Sequence, residues 1–300
     1  MLREALKYIF ILLVIILPEN VVGQRASLDS LEEGKVIPLV YAPPKKFSFI
    51  TSLPKTFGSA AKETFRSKSI PALSVITLST LLLIPVDQPI NDGVNNFSRS
   101  IGLNPDRAYK TLIGFNLGNL DVDVYDMPQN LNTVFYSVGE GSTSMLICAG
   151  LYLHGKIKHS NRSLQASSQL LQSLLGVGIT TQFIKRISGR ESPFVATTSG
   201  GRWSPFTHPA TYQSKVPSYD AFPSGHLATM MATTTVLSLN YPEKKWIRPV
   251  GYGLMTLVSF AMVNNGVHWT SDYPLALGIG YVFGAVTFRM NKWVKGESDK

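Results

Sequence analysis

An all-α fold, a six-helix transmembrane bundle, is what this sequence predicts, on three observations. Charged residues make up only 16% of the 300-residue chain and apolar residues 44%, against about 25% charged in an ordinary soluble domain. From residue 70 onward the chain runs in nearly charge-free stretches whose lengths approach the ~20 residues a helix needs to cross hydrocarbon. No internal repeat and no strand alternation stands out. In lipid every backbone N–H and C=O must be satisfied within its own segment, so helices are the expected element. Mean hydropathy is only +0.10, so much of the chain also meets water.

Residues 1–23 read as a secretory signal. Arg3 and Lys7 make a basic start, Tyr8 to Leu17 an apolar core, and Val21 and Gly23 are small enough for cleavage before Gln24. A helix of that core rises only ~15 Å, half of the ~30 Å of hydrocarbon. An uncleaved anchor is the alternative. Residues 24–69 form a polar arm punctuated by Pro38, Pro43, Pro44 and Pro54, with a short amphipathic helix expected near Lys62–Arg66.

The main domain is expected over 70–290. Its candidate spans are Ile70–Val86, Thr133–His154, Leu164–Ile184, His226–Leu239, Trp246–Val263 and Tyr273–Phe288. The second contains Glu140, and the third carries a Gln and Ser stripe suited to facing other helices. Residues 87–130 read as a polar connection with a helix near Ala108–Leu117, and 291–300 as a basic tail.

The net charge of +9 is spread over short basic runs between apolar segments: Lys55–Lys68, Lys156–Arg162, Lys244–Arg248 and Arg289–Lys300. That placement reads as topology signal and phosphate attraction, with no nucleic-acid module. With alternating helices all four runs share one face, which the positive-inside rule makes cytoplasmic. The loops around Lys185–Pro223 and Gly266–Asp272 then face the periplasm or exterior. A cleaved signal peptide would put the arm on that outer side instead, so the two signals conflict at residues 24–68. Cys148 is the single cysteine, so no intrachain disulfide or cysteine metal site is available. No protein partner is indicated.

Three short motifs stand at helix ends on that outer face: Lys185-Arg-Ile-Ser-Gly-Arg190-Glu-Ser192-Pro193, Pro223-Ser224-Gly225-His226, and Gly266-Val-His268-Trp-Thr-Ser-Asp272. Each has an ordinary structural reading: a basic helix flank, a capped turn, an i,i+4 polar pair. Together and in this order they suit one anion site. Lys185 and Arg190 supply charge, and Arg binds phosphate oxygens in a bidentate way. Ser224 and the amides of Gly225 and His226 would sit at a helix N-terminus, which attracts anions. Of the two histidines, one neutral ring could attack phosphorus while the other protonates the leaving oxygen. Asp272, four residues from His268, could orient and balance it.

These motifs resemble those of the type-2 phosphatidic acid phosphatase superfamily, whose pattern is Lys-x6-Arg-Pro, Pro-Ser-Gly-His and Ser-Arg-x5-His-x3-Asp. That group includes lipid phosphatases, soluble class A acid phosphatases and vanadium haloperoxidases. The resemblance implies a membrane bundle that hydrolyses a lipid phosphomonoester or pyrophosphate, with no metal or other cofactor. It implies that His268 forms a phosphohistidine, His226 is the general acid and Asp272 the partner of His268, while Lys185, Ser224 and Gly225 bind phosphate. The chain departs from the pattern at Ser192 and Met262, where the family carries arginines, and at Ala261, where it carries serine. Arg190 is the expected substitute, with Arg186 and Arg202 behind it. The alternatives are a relative that binds phosphorylated lipid without hydrolysis, a haloperoxidase, and a soluble acid phosphatase. The loop Ser199–Asp220, with Trp203, Phe206, His208, Tyr212, Lys215 and Tyr219, reads as a lid or as an ordinary interfacial loop.

Overall fold

The computed structural model describes residues 39–117, 120–291 and 293–294. The expected signal at 1–23, most of the arm before Leu39 and nearly all of the 291–300 tail lie outside the described residues. The arm ends in α1 (Ser48–Thr51) and α2 (Leu53–Thr64), so the helix expected near Lys62–Arg66 is a longer one with Pro54 in its first turn. Proline there fixes φ at no cost in hydrogen bonds.

The described residues carry a helix wherever a span was expected, with two changes. Ile70–Val86 becomes α3 (Ile70–Leu83), which continues through one turn of 3-10 helix (Ile84–Val86) into α4 (Asp87–Ser100). The expected Thr133–His154 helix is broken into α5 (Leu131–Val138) and α6 (Gly141–Ile157) at Gly139-Glu140. Asn130 starts α5 by accepting from the Thr133 amide, and the Tyr109 hydroxyl donates to Glu140 at 2.9 Å. The carboxylate that looked out of place inside a span thus sits in a polar corner between helices.

Next come α7 (Asn161–Ser188), the short α8 (Pro209–Ser214), α9 (Gly225–Asn240), α10 (Ile247–Asn264) and α11 (Tyr273–Asn291). The core is where α7, α9 and α11 meet, with α10 and α5 on one flank. Gly280 and Gly284 let α11 run against α9: a Cβ at Gly280 would come within 2.2 Å of the Ala228 carbonyl. Val177, Ala228, Ala232, Ala276 and Phe283 fill that junction. The Gln stripe of α7 faces inward as expected. Gln172 donates to Thr56, and Asn240 donates to Gln169.

The expected helix near Ala108–Leu117 is a strand. β2 (Tyr109–Leu117) pairs antiparallel with β3 (Leu120–Pro128), from Tyr109–Pro128 to Leu117–Leu120. The β-rich composition of Tyr109-Lys-Thr-Leu-Ile and Val122-Asp-Val-Tyr around Gly118-Asn119 is a hairpin signal. A second small pairing joins β1 (Leu39–Val40) to β4 (Trp293–Val294). It lies at the end of the bundle opposite the motifs, where Tyr41 and Gln165 tie the arm to α9 and α7.

One described helix, Ser67–Ser100 (α3 with α4), is long and apolar enough to cross a membrane by length and composition, with mean hydropathy 2.0 and 6% of the window buried. The six-span count is not reached by that criterion. Helices α6, α7 and α10 expose apolar side chains, while α7 and α9 between them bury Gln, Ser and Thr, which lowers their mean hydropathy.

Candidate active site

The three motifs meet at one end of the bundle. The first leaves the C-terminus of α7. Gly189 ends that helix at φ 58°, in the left-handed region that favours glycine. A Cβ there would lie 1.9 Å from the Ser204 carbonyl, so glycine is needed for the loop to fold back. Ser224 caps α9 by accepting from the Leu227 amide at 3.5 Å. The Phe222–Pro223 peptide before it is cis. His268 lies between α10 and α11, and Asp272 in the turn that opens α11.

The His226 and His268 rings stand 5.8 Å apart, centroid to centroid, at 75°. His268 is buried and His226 half-buried. The His268 Nδ1–H donates to the Ala221 carbonyl at 2.7 Å, and the Asp272 carboxylate lies 3.4 Å from the same nitrogen. A carbonyl only accepts, so Nδ1 carries the proton and the lone pair sits on Nε2. Nε2 has no hydrogen-bond partner among the described residues. Orientation of His268 thus comes first from Ala221, a backbone contact invisible in the sequence, and second from Asp272. Burial holds the His268 imidazole down to about 3, with Lys185 adding to the effect and Asp220 opposing it. The ring is neutral at any working pH.

Asp272 is held from several sides. It accepts from the Trp269 amide at 2.8 Å and from Arg190 at 2.7 Å. Burial pushes its carboxyl up to about 6, against the pull of the Arg190 guanidinium.

Arg190, expected to take phosphate oxygens, is fully buried and its N–H groups are engaged. It donates to Asp272 and Ser271 from one nitrogen, and to Asp87 at 2.7 Å and the Gly200 carbonyl from the other. Its remaining N–H also meets Gly200, and Trp203 and Trp269 lie against its faces. The geometry makes it the centre of a buried Asp87–Arg190–Asp272 set rather than an open anion hook. Arg186 donates to Gln182 and lies 4.0 Å from the Tyr212 ring, and Arg202 pairs with Glu191. Neither turns to the histidines.

Lys185 is buried, 3.3 Å from the Asp220 carboxylate, and close enough for its charge to act on His268. Ser192 and Met262, at the two family arginine positions, are both buried. Met262 lies beside Ser224, whose hydroxyl is 3.7 Å from its sulfur. In the 199–220 loop, His208 caps α8 at the surface and Phe206 is exposed. Trp203 rests on Phe222.

Two residues missed by sequence reasoning belong here. Asp87, at the start of α4, pairs with Arg190 and accepts from the Ser271 amide and hydroxyl. Arg107, just before β2, lies over the rings of Tyr136 and Phe194, and Tyr136 in turn stacks 4.8 Å from His226. A lone charge just after an apolar stretch, on the face shared with the motifs, was the only available signal for Asp87.

Residues 166–295 match the PAP2 superfamily. A stretch of 70 residues is 29% identical to the lipid A 1-phosphatase of Porphyromonas gingivalis, covering 23% of this chain and 16% of that protein. No solved structure matches the chain significantly. All three motifs lie inside the segment that is similar to that family.

Proposed function

We propose that this protein is a phosphatase that hydrolyses a lipid phosphomonoester or pyrophosphate through a phosphohistidine, without a metal. The observation that carries the proposal is the pair of imidazoles 5.8 Å apart, with His268 Nδ1 tied to the Ala221 carbonyl. The lone pair of His268 Nε2 attacks phosphorus, and the bond from phosphorus to the leaving oxygen breaks. Burial, with the charges of Lys185 and Arg107, holds the His226 imidazole down to about 3; in the proposed mechanism it takes up a proton only as the phosphate anion binds, and gives that proton to the leaving oxygen. Asp272 balances the positive charge that the phosphoimidazole acquires. Water then attacks phosphorus, His226 takes its proton, and the P–N bond breaks to return His268. Lys185 and the N-terminus of α9 at Ser224 and Gly225 hold the phosphoryl oxygens. Arg190 acts one step back, as a positioning residue that fixes Asp272.

A lipid substrate is supported by the name of the Porphyromonas gingivalis relative and by the outer surface of the bundle. Val75, Leu78, Leu81 and Leu82 on α3, Leu146, Leu153 and Ile157 on α6, and Leu254 and Leu257 on α10 are all exposed. Such a belt suits hydrocarbon more than water. We place the chain in the inner membrane as a multi-pass protein with the site at its outer face. Phosphatidic acid, phosphatidylglycerol phosphate, undecaprenyl pyrophosphate and lipid A belong to the substrate class.

Phosphate release from a panel of these lipids, by the parent chain, His226→Ala and His268→Ala in detergent, tests the proposal. The parent should be active, insensitive to chelators and inhibited by vanadate, and both variants should lose at least ~100-fold. Full activity in His268→Ala would remove the mechanism. A second reading, lipid binding without hydrolysis, is favoured by Ser192 and Met262 standing in place of cations. It predicts binding without release across the whole panel.

A further inference from the structure

Four cations stand in or near the first motif, and each is already engaged: Arg186 donates to Gln182 and lies on the Tyr212 ring. Lys185 pairs with Asp220, Arg190 with Asp87 and Asp272, and Arg202 with Glu191. The two positions that carry arginine in the family pattern hold Ser192 and Met262. A phosphoryl group entering this site would lack a free guanidinium from residues 166–295.

We infer that Arg107, outside the PAP2-matched segment, supplies that guanidinium and binds the substrate phosphate from the His226 side. The inference rests on the phosphatase reading. Arg107 is exposed and makes no ion pair among the described residues. Its guanidinium lies 5.9 Å from the centroid of Tyr136 and 5.4 Å from that of Phe194, and Tyr136 lies 4.8 Å from His226. Its charge reaches the His226 imidazole.

The backbone on both sides of Arg107 is pinned. The Asp106 carbonyl accepts from Asn130 at 2.7 Å and from the Thr133 hydroxyl at 3.2 Å, and the Ala108 amide donates to that hydroxyl at 3.1 Å. Phe194, two residues past Ser192, is itself fixed by its amide donating to the Gly266 carbonyl at 3.0 Å. Phe194, held between the first and third motifs, and Tyr136 of α5, beside His226, thus steer a cation toward the space where the first motif lacks its own. Because His226 is half-buried and His268 buried, substrate reaches the nucleophile past His226, and Arg107 stands on that approach. It would meet the oxygens nearest the leaving group, including the second phosphate of a pyrophosphate. Guanidinium suits this role because it stacks on rings and forks two oxygens at once.

The test compares the full chain in detergent with Arg107→Gln and Arg107→Lys, measuring orthovanadate affinity by calorimetry, KM and kcat on the lipid panel, and melting temperature. Loss of a charge-assisted contact should weaken vanadate binding and raise KM about 10- to 100-fold in Arg107→Gln. Arg107→Lys should recover part of that, with little change in melting temperature for either variant. Unchanged vanadate affinity and KM in Arg107→Gln, with an active parent, overturn the role of Arg107 and leave the phosphatase reading intact. A melting temperature that falls with affinity, and no recovery by lysine, would make Arg107 a structural residue and also overturn it. If the parent releases no phosphate from any lipid, the phosphatase reading fails, and the vanadate comparison alone still decides Arg107. A parent that binds no vanadate overturns both.

Discussion

At the scale of single residues, the chemistry turns on which groups are free and which are held. Arg190 has the right charge and the right neighbourhood in sequence, yet its guanidinium is buried between two carboxylates and a backbone carbonyl. Removing one member of such a set leaves an uncompensated buried charge, which costs ~3–5 kcal/mol. Arg190→Ala should therefore lower unfolding stability by that order in a denaturant titration, and a variant as stable as the parent would contradict the positioning role. The pH profile should carry the same signature. His268 is neutral throughout, because burial holds it down to about 3, so it sets no limb near neutrality. In the proposed mechanism Asp272 is ionised when it balances the phosphoimidazole, and burial raises its carboxyl to about 6. Activity should fall as pH drops through 6 and that carboxyl takes a proton. In Asp272→Asn the acid limb should vanish along with most of the rate. An unchanged limb in a still-active Asp272→Asn would assign it elsewhere.

At the scale of elements, the helices were legible because apolar runs and caps are local properties. Pro-Ser-Gly-His was read as a turn with Ser224 at a helix start, and Ser224 does cap α9. What failed was partition within apolar stretches. The stretch Ala108–Leu117, where a helix is expected, instead forms the first strand of a hairpin, because its apolar content suits either element and its pairing with Leu120–Pro128 decides for strand. The break at Gly139-Glu140 was missed because the group that meets Glu140 is Tyr109, far away in sequence. The tight junction of α9 and α11 depends on glycine, since a Cβ at Gly280 would sit 2.2 Å from the Ala228 carbonyl. Gly280→Ala should force those helices apart and cost ~1–3 kcal/mol as overpacking does, read as a lower melting temperature. No change would mean that the junction is looser than it stands here.

At the scale of the whole molecule, the motifs announced their own meeting place but not its outer ring. Lys185, Ser224, Gly225, His226, His268 and Asp272 lie together at one end of the bundle, as their shared side of alternating helices suggested. Asp87 and Arg107 join them from a stretch read only as a polar connection, and no spacing rule links them to a histidine more than a hundred residues on. The same separation explains why a hydropathy test finds a single span, Ser67–Ser100. The inward Gln and Thr of α7 and α9 find partners on α2, α6 and each other, and the fold leaves Ile179 and Phe183 of α7 exposed on its outer face. The protein should stay with the membrane pellet through an alkaline carbonate wash and leave it only in detergent. Recovery in the wash would contradict the membrane-embedded reading.

We propose His268 Nε2 as the atom that receives the phosphoryl group, and trapping it there is the most direct test. Rapid mixing of the protein with a hydrolysed lipid phosphate, an alkaline quench and peptide mass spectrometry should find phosphate on the peptide containing His268, and none there in His268→Ala. Turnover at full rate with no phosphohistidine at any quench time, or with phosphate on another residue, would contradict it.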